Sequence, residues 1–504
     1  MRTHLFILAI VLAAPVAGLA HVNSPDVYYD GYAGPYHLLA TVQPPAVVPG
    51  IAQIQIRSAS PSSDIEKIEI VPLKMVGAPE NLAPTPDPAE RSASDPQLFS
   101  GQLWIMARGS WKVRVKVYGK QGEAELEVPL PAVSTHSAKM QKPLGALLAF
   151  LGIVLVAGMV GIIGAANREA AVAPGEDPAP QQRKRSWVIM IVAAAFLIGV
   201  VVAANGWWGA EATVNANLNY KLPQMQATLQ TSNLLQVKLD NPNSLEKTIE
   251  PALLDRFQRA GMKIPDALRL DDLIPDHGHV MHLFLVRMPD MQSFWHLHPD
   301  AIGQSQSDEA QFAVNLPSLP AGRYAIYADI VHQTGFPETQ VATIELPQIA
   351  GHALSGDDSG GPDLAAADQT SALSDGYRMV WERDAQPLKA NVPVWFRFRV
   401  VDKSGKPASD LEDYMGMAGH AAFISTDGKV FAHVHPAGSV SMAAVSLAEG
   451  AGAQHEMAGM NHAPAHGEVS FPYGFPHAGD YRIFVQVKRA GRVETGAFMA
   501  HVSN

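Results

Sequence analysis

The chain has 504 residues, a formal net charge of −11 at pH 7 and no cysteine. The acidic balance argues against nucleic acid as a partner. The lack of cysteine excludes disulfides, iron–sulfur clusters and thiolate zinc sites, so any metal must rest on His, Met, carboxylate or backbone ligands.

The N-terminus carries Arg2, then the apolar stretch "LFILAIVLAAPVAGL" and small residues up to Ala20. This pattern predicts a secretory signal peptide over residues 1–20, cleaved before His21. The alternative is a first membrane span, which is disfavoured because the apolar run is short and ends in small residues.

Residues 21–135 are predicted to form a periplasmic β domain. Its segments alternate apolar and polar residues with a period of two: "HLLATVQPP", "AQIQIRSA", "IEKIEIVPL", "GQLWIMA", "WKVRVKVYG" and "EAELEVPL". About seven short strands in roughly 110 residues are typical of an immunoglobulin-like sandwich.

Two longer apolar stretches follow, at residues 144–166 and 187–208, and neither contains a charged residue. Their length predicts transmembrane helices, and the second has tryptophan at both ends, where an aromatic belt belongs. The loop at 167–186 contains basic residues, namely Arg168, Arg183, Lys184 and Arg185. Basic loops stay in the cytoplasm, so we expect a bacterial cytoplasmic-membrane protein whose two large regions both face the periplasm.

Residues 212–348 and 376–504 are predicted to be two further periplasmic β domains, joined by a Gly/Ser/Asp/Ala-rich linker at 349–375. "LPSLPAGRYAIYADI" in the first matches "FPYGFPHAGDYRIFVQV" in the second, and each follows a His-x-His-Pro segment. Two landmarks in the same order indicate an internal duplication. The predicted fold is therefore mostly β, with three exported immunoglobulin-like β-sandwich domains plus a two-helix transmembrane hairpin.

The segment "GHAAFISTDGKVFAHVHP" has Asp-Gly between two strand-like runs, a strong signal for a two-residue hairpin turn. A tight turn places His420 directly opposite His435, with His433 on the same face. Three imidazoles then share one patch and can bind a transition metal.

The preceding domain has a loop one residue longer. The same geometry pairs His282 with His298 and places His296 beside them. His277 and His279 in "PDHGHVMH" are candidate supporting ligands. The alternative for both patches is a buried polar cluster whose imidazoles bond to one another or to backbone.

An insert at residues 448–468, "AEGAGAQHEMAGMNHAPAHGE", offers further ligands, namely His455, Met457, Met460, His462 and His466. Its Gly/Ala composition cannot build a core, so packing does not explain them. Thioether with imidazole suits copper, especially Cu(I); the alternative is a solvent loop. If cleavage precedes His21, its α-amino group and imidazole form a copper chelate, with His37 as a third nitrogen. The alternative is cleavage elsewhere, with His21 incidental.

Three segments resemble known protein families. "GPYHLLATVQPPAVVPGIAQIQI" is similar to exported immunoglobulin-like domains of the YtkA-like and FixH-like kind. "MHLFLV…FWHLHPD" and "GHAAFI…VFAHVHPAG" resemble a bacterial envelope domain class found near copper- and heavy-metal-handling genes. The start at His21 resembles periplasmic copper carriers that begin with histidine. The resemblance implies β-sandwiches and an envelope metal role. Blue-copper electron transfer is excluded, because its ligand set needs a cysteine.

The leading hypothesis is a membrane-anchored periplasmic metal-binding protein for copper homeostasis or delivery, with zinc as the alternative metal. A second is a zinc-dependent hydrolytic enzyme, since three His with an open fourth position can activate water. No general base is evident in the sequence. A third is an assembly or interaction factor that binds a respiratory or transport complex and has structural histidines.

Overall fold

The computed structural model describes residues 26–61, 64–75, 83–170, 172–173, 175–244, 247, 250–259, 268–383, 386–450 and 467–504. Strands make up 46% and helices 20%, so the prediction of a mostly β protein with two long apolar helices is confirmed. The predicted signal peptide at residues 1–20 lies outside the described residues.

The N-terminal domain is built from β1 to β8. The strands are β1 Val27–Ala33, β2 Tyr36–Gln43, β3 Gly50–Ser58, β4 Ile65–Lys74, β5 Asp87–Arg91, β6 Leu98–Ile105, β7 Gly109–Gly119 and β8 Gly122–Ala132. They pair in the order β1-β2-β3-β6-β5-β4-β7-β8. All six segments with period-two alternation are strands. The sequence of β5 shows no period-two alternation, because Ala89 is the only residue of this strand that is buried.

Helix α1 spans Lys142–Glu169 and helix α2 spans Pro180–Asn217. Both are long and apolar enough to cross a membrane. They exceed the predicted stretches at 144–166 and 187–208 because their polar flanks continue as helix. The Ser186 hydroxyl donates to the Gly164 carbonyl at 2.7 Å. A side chain at Gly164 would collide with the Met190 sulfur.

Both large regions lie at one end of this helix pair. The amide of Tyr220, just after α2, donates to the Ser134 carbonyl at 2.7 Å. The Asn219 side chain donates to the Ser137 hydroxyl at 3.0 Å. The chain before α1 and the chain after α2 therefore meet beside the same helix ends.

The second domain comprises β9 to β18, with helix α3 at Pro251–Arg259. Its strands are β9 Gln224–Leu229, β10 Leu234–Asp240, β11 Leu273–Ile274, β12 His282–Met288, β13 Phe294–Leu297, β14 Asp300–Ala301, β15 Glu309–Asn315, β16 Gly322–His332, β17 Pro337–Leu346 and β18 Ser359–Gly361. One sheet has the order β14-β15-β10-β9. The other has the order β11-β16-β12-β13-β18, with β17 paired to β16.

The third domain comprises β19 to β28 and helix α4 at Met442–Glu449. Its strands are β19 Thr370–Ala372, β20 Arg378–Glu382, β21 Leu388–Lys389, β22 Val394–Val401, β23 Leu411–Glu412, β24 His420–Ser425, β25 Phe431–Val434, β26 Glu468–Tyr473, β27 Gly479–Arg489 and β28 Arg492–Ser503. One sheet has the order β19-β20-β22-β26. The other has the order β21-β28-β27-β24-β25, with β23 paired to β27.

The stretch predicted as a linker, 349–375, contains β18 and β19 and packs against both domains. β18 pairs with β13 through Ser359 and His296. Gly360 has a φ of +131° and lies so close to the Phe294 carbonyl that a Cβ would collide with it. Glycine therefore permits the backbone contact, and the composition that indicated a linker is here the composition of an edge strand.

The second and third domains face each other through equivalent sheets. The Phe294 ring stacks on Phe484 with centroids 4.2 Å apart, and the Phe431 ring stacks on Tyr327 at 4.4 Å. Phe294 and Phe431 occupy equivalent positions in the repeated His-x-His hairpins. The two contacts are therefore reciprocal, as in the isologous interface of a symmetric dimer.

The N-terminal domain holds the segment that follows β25. The Asp30 amide donates to the Ala437 carbonyl at 2.8 Å, and the Ser439 amide donates to the Tyr28 carbonyl at 2.9 Å. Val445 of α4 is buried in the core of the N-terminal domain. Three domains thus converge on the chain beside His435.

Candidate metal centre

Histidine side chains of the second and third domains form a polar cluster beside the apolar contacts between these domains. Among the described residues it comprises His277, His279, His282, His296, His298, His420, His433 and His435. Histidine rings of the two domains lie as close as 4.8 Å between centroids, for His277 and His435. We call this set the histidine cluster.

The strand register expected from the turns is the register observed. Leu283 pairs with Leu297, which puts His282 opposite His298. Ala421 pairs with Val434, which puts His420 opposite His435. Two sites, one per domain, were expected. The two patches instead adjoin, because the faces that carry them pack against each other.

The first group of convergent nitrogens belongs to His282, His296 and His298, with one ligand atom of each within 4.8 Å of the others. This is the predicted trio of the second domain. Its rings are buried at the interface, with the Phe284 ring stacked on His296 at 4.2 Å.

Hydrogen bonds assign the tautomers of this first group. His282 Nε2 donates to the Asp276 carbonyl, His296 Nδ1 to Gln486 Oε1, and His298 Nδ1 to Asp358 Oδ1, each at 3.0 Å. In this tautomer of a neutral ring, the opposite nitrogen has a lone pair that a metal could use. Metal-binding histidines are oriented in the same way, by an acceptor on the other nitrogen.

The two lone-pair nitrogens, His282 Nδ1 and His296 Nε2, are 3.0 Å apart. Two nitrogens that bind one tetrahedral ion at about 2.0–2.1 Å lie about 3.3 Å from each other. With both protons on the far sides, the close pair has no hydrogen to share. This spacing could accommodate a cation between the rings, and His298 Nε2, buried without a hydrogen-bond partner among the described residues, could supply a third ligand.

The second group consists of His277, His420 and His435, again with ligand atoms within 4.8 Å. His277 Nδ1 donates to the Met415 carbonyl at 3.0 Å, and His435 Nδ1 donates to the Val440 carbonyl at 2.9 Å. In the described part of the chain, their Nε2 atoms and both nitrogens of His420 are buried without a hydrogen-bond partner.

The composition of this second group corrects the expected one. His433 was predicted as the third ligand, but its Nδ1 is 3.3 Å from Asp329 Oδ2 and its ring lies between the groups. His277 was expected to support the site of its own domain and instead reaches the third domain. His279 stacks on His298 at 3.9 Å and belongs to neither group. The cause is the domain interface, which brings the turn at His277 over the facing sheet.

The buried imidazoles are neutral near pH 7. Desolvation, reinforced mostly by repulsion from neighbouring rings, lowers the pKa of His282, His296, His298, His420 and His433. Desolvation, with His277 adding to it, lowers the pKa of His435 to about 4. Neutral imidazole is the form that binds metals.

Carboxylates around the centre come from the segment predicted as a linker. Asp358 Oδ1 accepts from both the ring and the backbone amide of His298. Asp357 Oδ2 lies 3.3 Å from His279 Nε2. Sequence reasoning missed both residues, although paired aspartates in "GDDSGG" were a visible signal.

A cavity of about 60 Å³ adjoins the cluster. Its lining includes His282, His433 and His435 together with Asp329 and Glu338. This volume has room for water beside the imidazoles. Burial raises the pKa of Asp329 to about 7.

One further predicted ligand, His37, does not join the cluster. His37 lies in the N-terminal domain, where its Nε2 is 2.6 Å from Asp30 Oδ1 and its ring stacks on Tyr32. The remaining predicted ligands lie outside the described residues, namely His21, His455, Met457, Met460, His462 and His466.

Comparison with solved structures gives weak similarities. A tetra-tandem repeat from the extending region of a large adhesion protein is 8% identical, with 91% of this chain and 72% of that chain covered and a TM-score of 0.17. Dimeric latent PorU from Porphyromonas gingivalis is 8% identical, with 90% and 32% covered and a TM-score of 0.14. Native alpha-2-macroglobulin from E. coli is 10% identical, with 97% and 23% covered and a TM-score of 0.21. The chain spans less than two thirds of the last two, and similarities this low carry no functional conclusion.

No curated protein matches the chain. A family described as a domain of unknown function (DUF8832) matches residues 249–347 and 370–504. The match includes every member of the histidine cluster and omits the segment with Asp357 and Asp358. Over these two stretches, less than half of its length, the chain is similar to that family.

Proposed function

We propose that this protein is a membrane-anchored, periplasm-facing metal-binding protein, and that the histidine cluster holds copper, with zinc as the alternative. One observation carries the proposal. The unprotonated nitrogens of His282 and His296 face each other at 3.0 Å while both opposite nitrogens bond to acceptors. Such a pair is unfavourable without a cation and well suited to one.

The surroundings favour copper. Imidazole ligands suit copper and zinc, and no thiolate is present to favour an iron–sulfur or zinc–cysteine site. The first group offers three neutral ligands in a buried setting with one nearby carboxylate, Asp358. Burying a monovalent ion costs less than burying a divalent one, so Cu(I) is the favoured state. The His/Met insert at 448–468 would capture the ion or pass it on.

The cellular setting follows from the helices and the basic loop. The helix pair anchors the chain in the cytoplasmic membrane, the loop at 167–186 stays inside, and all three β domains face the periplasm. We infer that these domains are immunoglobulin-like sandwiches of the YtkA-like or FixH-like kind. Copper homeostasis or delivery is the role that this location and the ligand set support.

Metal analysis of the purified full-length protein tests the proposal. The detergent-solubilised protein is dialysed against Cu(I) under reducing conditions, and against Cu(II) and Zn(II) separately. Bound metal is then counted per chain. We expect copper to remain bound after exchange into metal-free buffer. A protein that retains neither copper nor zinc would contradict the proposal and leave the histidines a structural role.

Asp358 gives a prediction that separates metal binding from packing. Asp358→Asn removes the charge that orients His298 but keeps a side chain of the same size. Loss of such an outer partner lowers metal affinity about 10- to 100-fold. Competition with a chelator of known affinity measures the change. Asp480→Asn is the control, because Asp480 partners the exposed His501 far from the cluster. Equal affinities for the two variants would argue against the assigned role of Asp358.

A zinc-dependent hydrolase is the second candidate, supported by Asp329. Its carboxyl lines the cavity beside His282, and its pKa of about 7 suits a general base. Ester hydrolysis that requires zinc and is lost in Asp329→Asn would support this activity. Hydrolysis unchanged by zinc removal would exclude it.

A further inference from the structure

We propose that the histidine cluster binds two neighbouring ions. The second ion has ligands from both repeated domains and stabilises their docked arrangement. This inference rests on the proposed metal binding and concerns its regulation. The first ion is held within one domain by His282, His296 and His298. The second is held across the interface, by His277 of the second domain and by His420 and His435 of the third.

The turn that carries His277 has a counterpart in the third domain. The backbones of Asp276 and His279 form a β-bridge that closes a turn, and in this turn His277 has a φ of 51°. The backbones of Tyr414 and Met417 form a β-bridge that closes a second turn, and in that turn Met415 also has a φ of 51°. The turns are equivalent in the duplication, yet one carries an imidazole where the other carries a thioether. The interface is therefore symmetric in backbone and asymmetric in ligands.

His277 is anchored to the opposing turn. Its Nδ1 donates to the backbone carbonyl of Met415, which fixes the tautomer and directs Nε2 towards His420 and His435. The His277 ring lies 4.9 Å from the His420 ring and 4.8 Å from the His435 ring. These distances match the spacing within the first group, where His282 and His298 are 5.0 Å apart.

The polar half of the interface depends on a bound ion for its stability, whereas the apolar half does not. Phe284, Phe294 and Phe431 bury apolar surface whether or not metal is present. The second group contributes imidazole nitrogens that are buried without partners among the described residues. A buried nitrogen without a partner destabilises the folded protein, because it has lost its hydrogen bonds to water. An ion shared by His277, His420 and His435 satisfies one nitrogen of each ring, and it does so only while the domains are docked.

The two ions are close neighbours. Ring centroids of the two groups approach to 6.2 Å for His277 and His282 and to 6.3 Å for His296 and His420. Each ion lies about 2 Å from the nitrogen that binds it and so about 3 Å from the ring centroid, which places the two ions within roughly 12 Å of each other. Two Cu(II) ions at that distance interact magnetically, which isolated sites do not.

Coupling between docking and loading follows from linkage. The second ion binds only the docked arrangement, so its binding favours docking, and docking raises its affinity by the same factor.

The test uses Cu(II) with the full-length protein, the variant His277→Ala and the control His501→Ala. His501 is 77% exposed on β28 and far from the cluster. We expect wild type and control to bind the same number of ions and to give the electron paramagnetic resonance spectrum of a coupled pair. His277→Ala should bind one ion fewer and give an isolated-ion spectrum. His277→Gln, which retains more of the side chain, is the second variant if the alanine variant does not fold.

Two results would overturn the inference. One is a wild-type spectrum that contains isolated Cu(II) alone at saturation, and the other is an unchanged ion count in His277→Ala. Failure of the proposed function would look different, because no variant and no wild-type protein would then retain copper. Calorimetry provides the docking readout, with a single unfolding transition for the second and third domains of the loaded wild type and two transitions for His277→Ala.

Discussion

Replacing His282 with leucine is expected to lower the copper affinity of the first group by at least about 100-fold. Loss of an outer partner alone costs 10- to 100-fold, and this change removes a ligand. Leucine is close in size and apolar, so it fills the buried position. The Asp276 carbonyl keeps a partner, because the His279 amide also donates to it at 3.0 Å. Chelator competition with Cu(I) measures the affinity.

The control for His282→Leu is His501→Leu, which removes an imidazole that bonds to Asp480 at the surface. We expect wild-type affinity for this control and an unchanged circular dichroism spectrum for both variants. If folded His282→Leu binds copper as tightly as wild type, the 3.0 Å nitrogen pair is not a metal site.

Copper binding is expected to raise the apparent unfolding temperature of the protein by on the order of 10 °C. An ion that binds only the folded state stabilises it by about 4 kcal/mol when its free concentration is 1,000 times the dissociation constant. For domains of this size each kcal/mol shifts the transition by about 2–4 °C. The buried nitrogens without partners add to the effect, since metal-free protein bears their desolvation cost. Differential scanning fluorimetry at graded copper concentrations measures the shift.

Two comparisons show whether copper at the first group causes this rise in unfolding temperature. His282→Leu should show a smaller shift than wild type, and a chelator should reverse the shift completely. A shift of equal size in both proteins would assign the stabilisation to the second group, to the insert at 448–468 or to the surface, and would contradict binding at the first group.

The register of the two hairpins could be predicted from the sequence because turn length determines which residues face each other. Asp427-Gly428 implied that His420 and His435 are opposed, and the longer loop before His296 implied the same for His282 and His298. Each domain therefore brings its imidazoles together as expected, and the alternation in the N-terminal domain marked its strands equally well.

The docking of the two repeats could not be predicted in the same way, because it depends on contacts between distant surfaces. One signal was present. The residues His282 to Val286 are buried on both faces of their strand, and "HLFLV" lacks the polar positions of a half-exposed strand. A strand with this pattern is expected to be buried on both faces, so the segment predicts that another part of the protein covers its outer face. The roles of His277 and Asp358 depend on that packing and on a segment whose composition indicated a linker.

Duplication explains how such a centre is built within one chain. Two copies of a hairpin with paired histidines dock face to face, and reciprocal contacts such as Phe294 with Phe484 and Phe431 with Tyr327 align them. Partners of the imidazoles are reciprocal too, since Gln486 bonds to His296 and Asp329 contacts His433. In the proposed two-ion arrangement, the difference between His277 in one repeat and Met415 in the other makes one ion site intradomain and the other interdomain.

X-ray absorption at the copper edge tests most directly whether the buried imidazoles hold the ion. The full-length protein is loaded with one equivalent of Cu(I) and compared with the similarly loaded double variant His282→Leu/His420→Leu, which lacks one ligand of each group. We predict a wild-type first shell of three nitrogens at about 2.0 Å, with the outer-shell scattering of imidazole rings and no sulfur. A sulfur shell in the wild type, or identical spectra for the two proteins, would mean that the copper is held elsewhere.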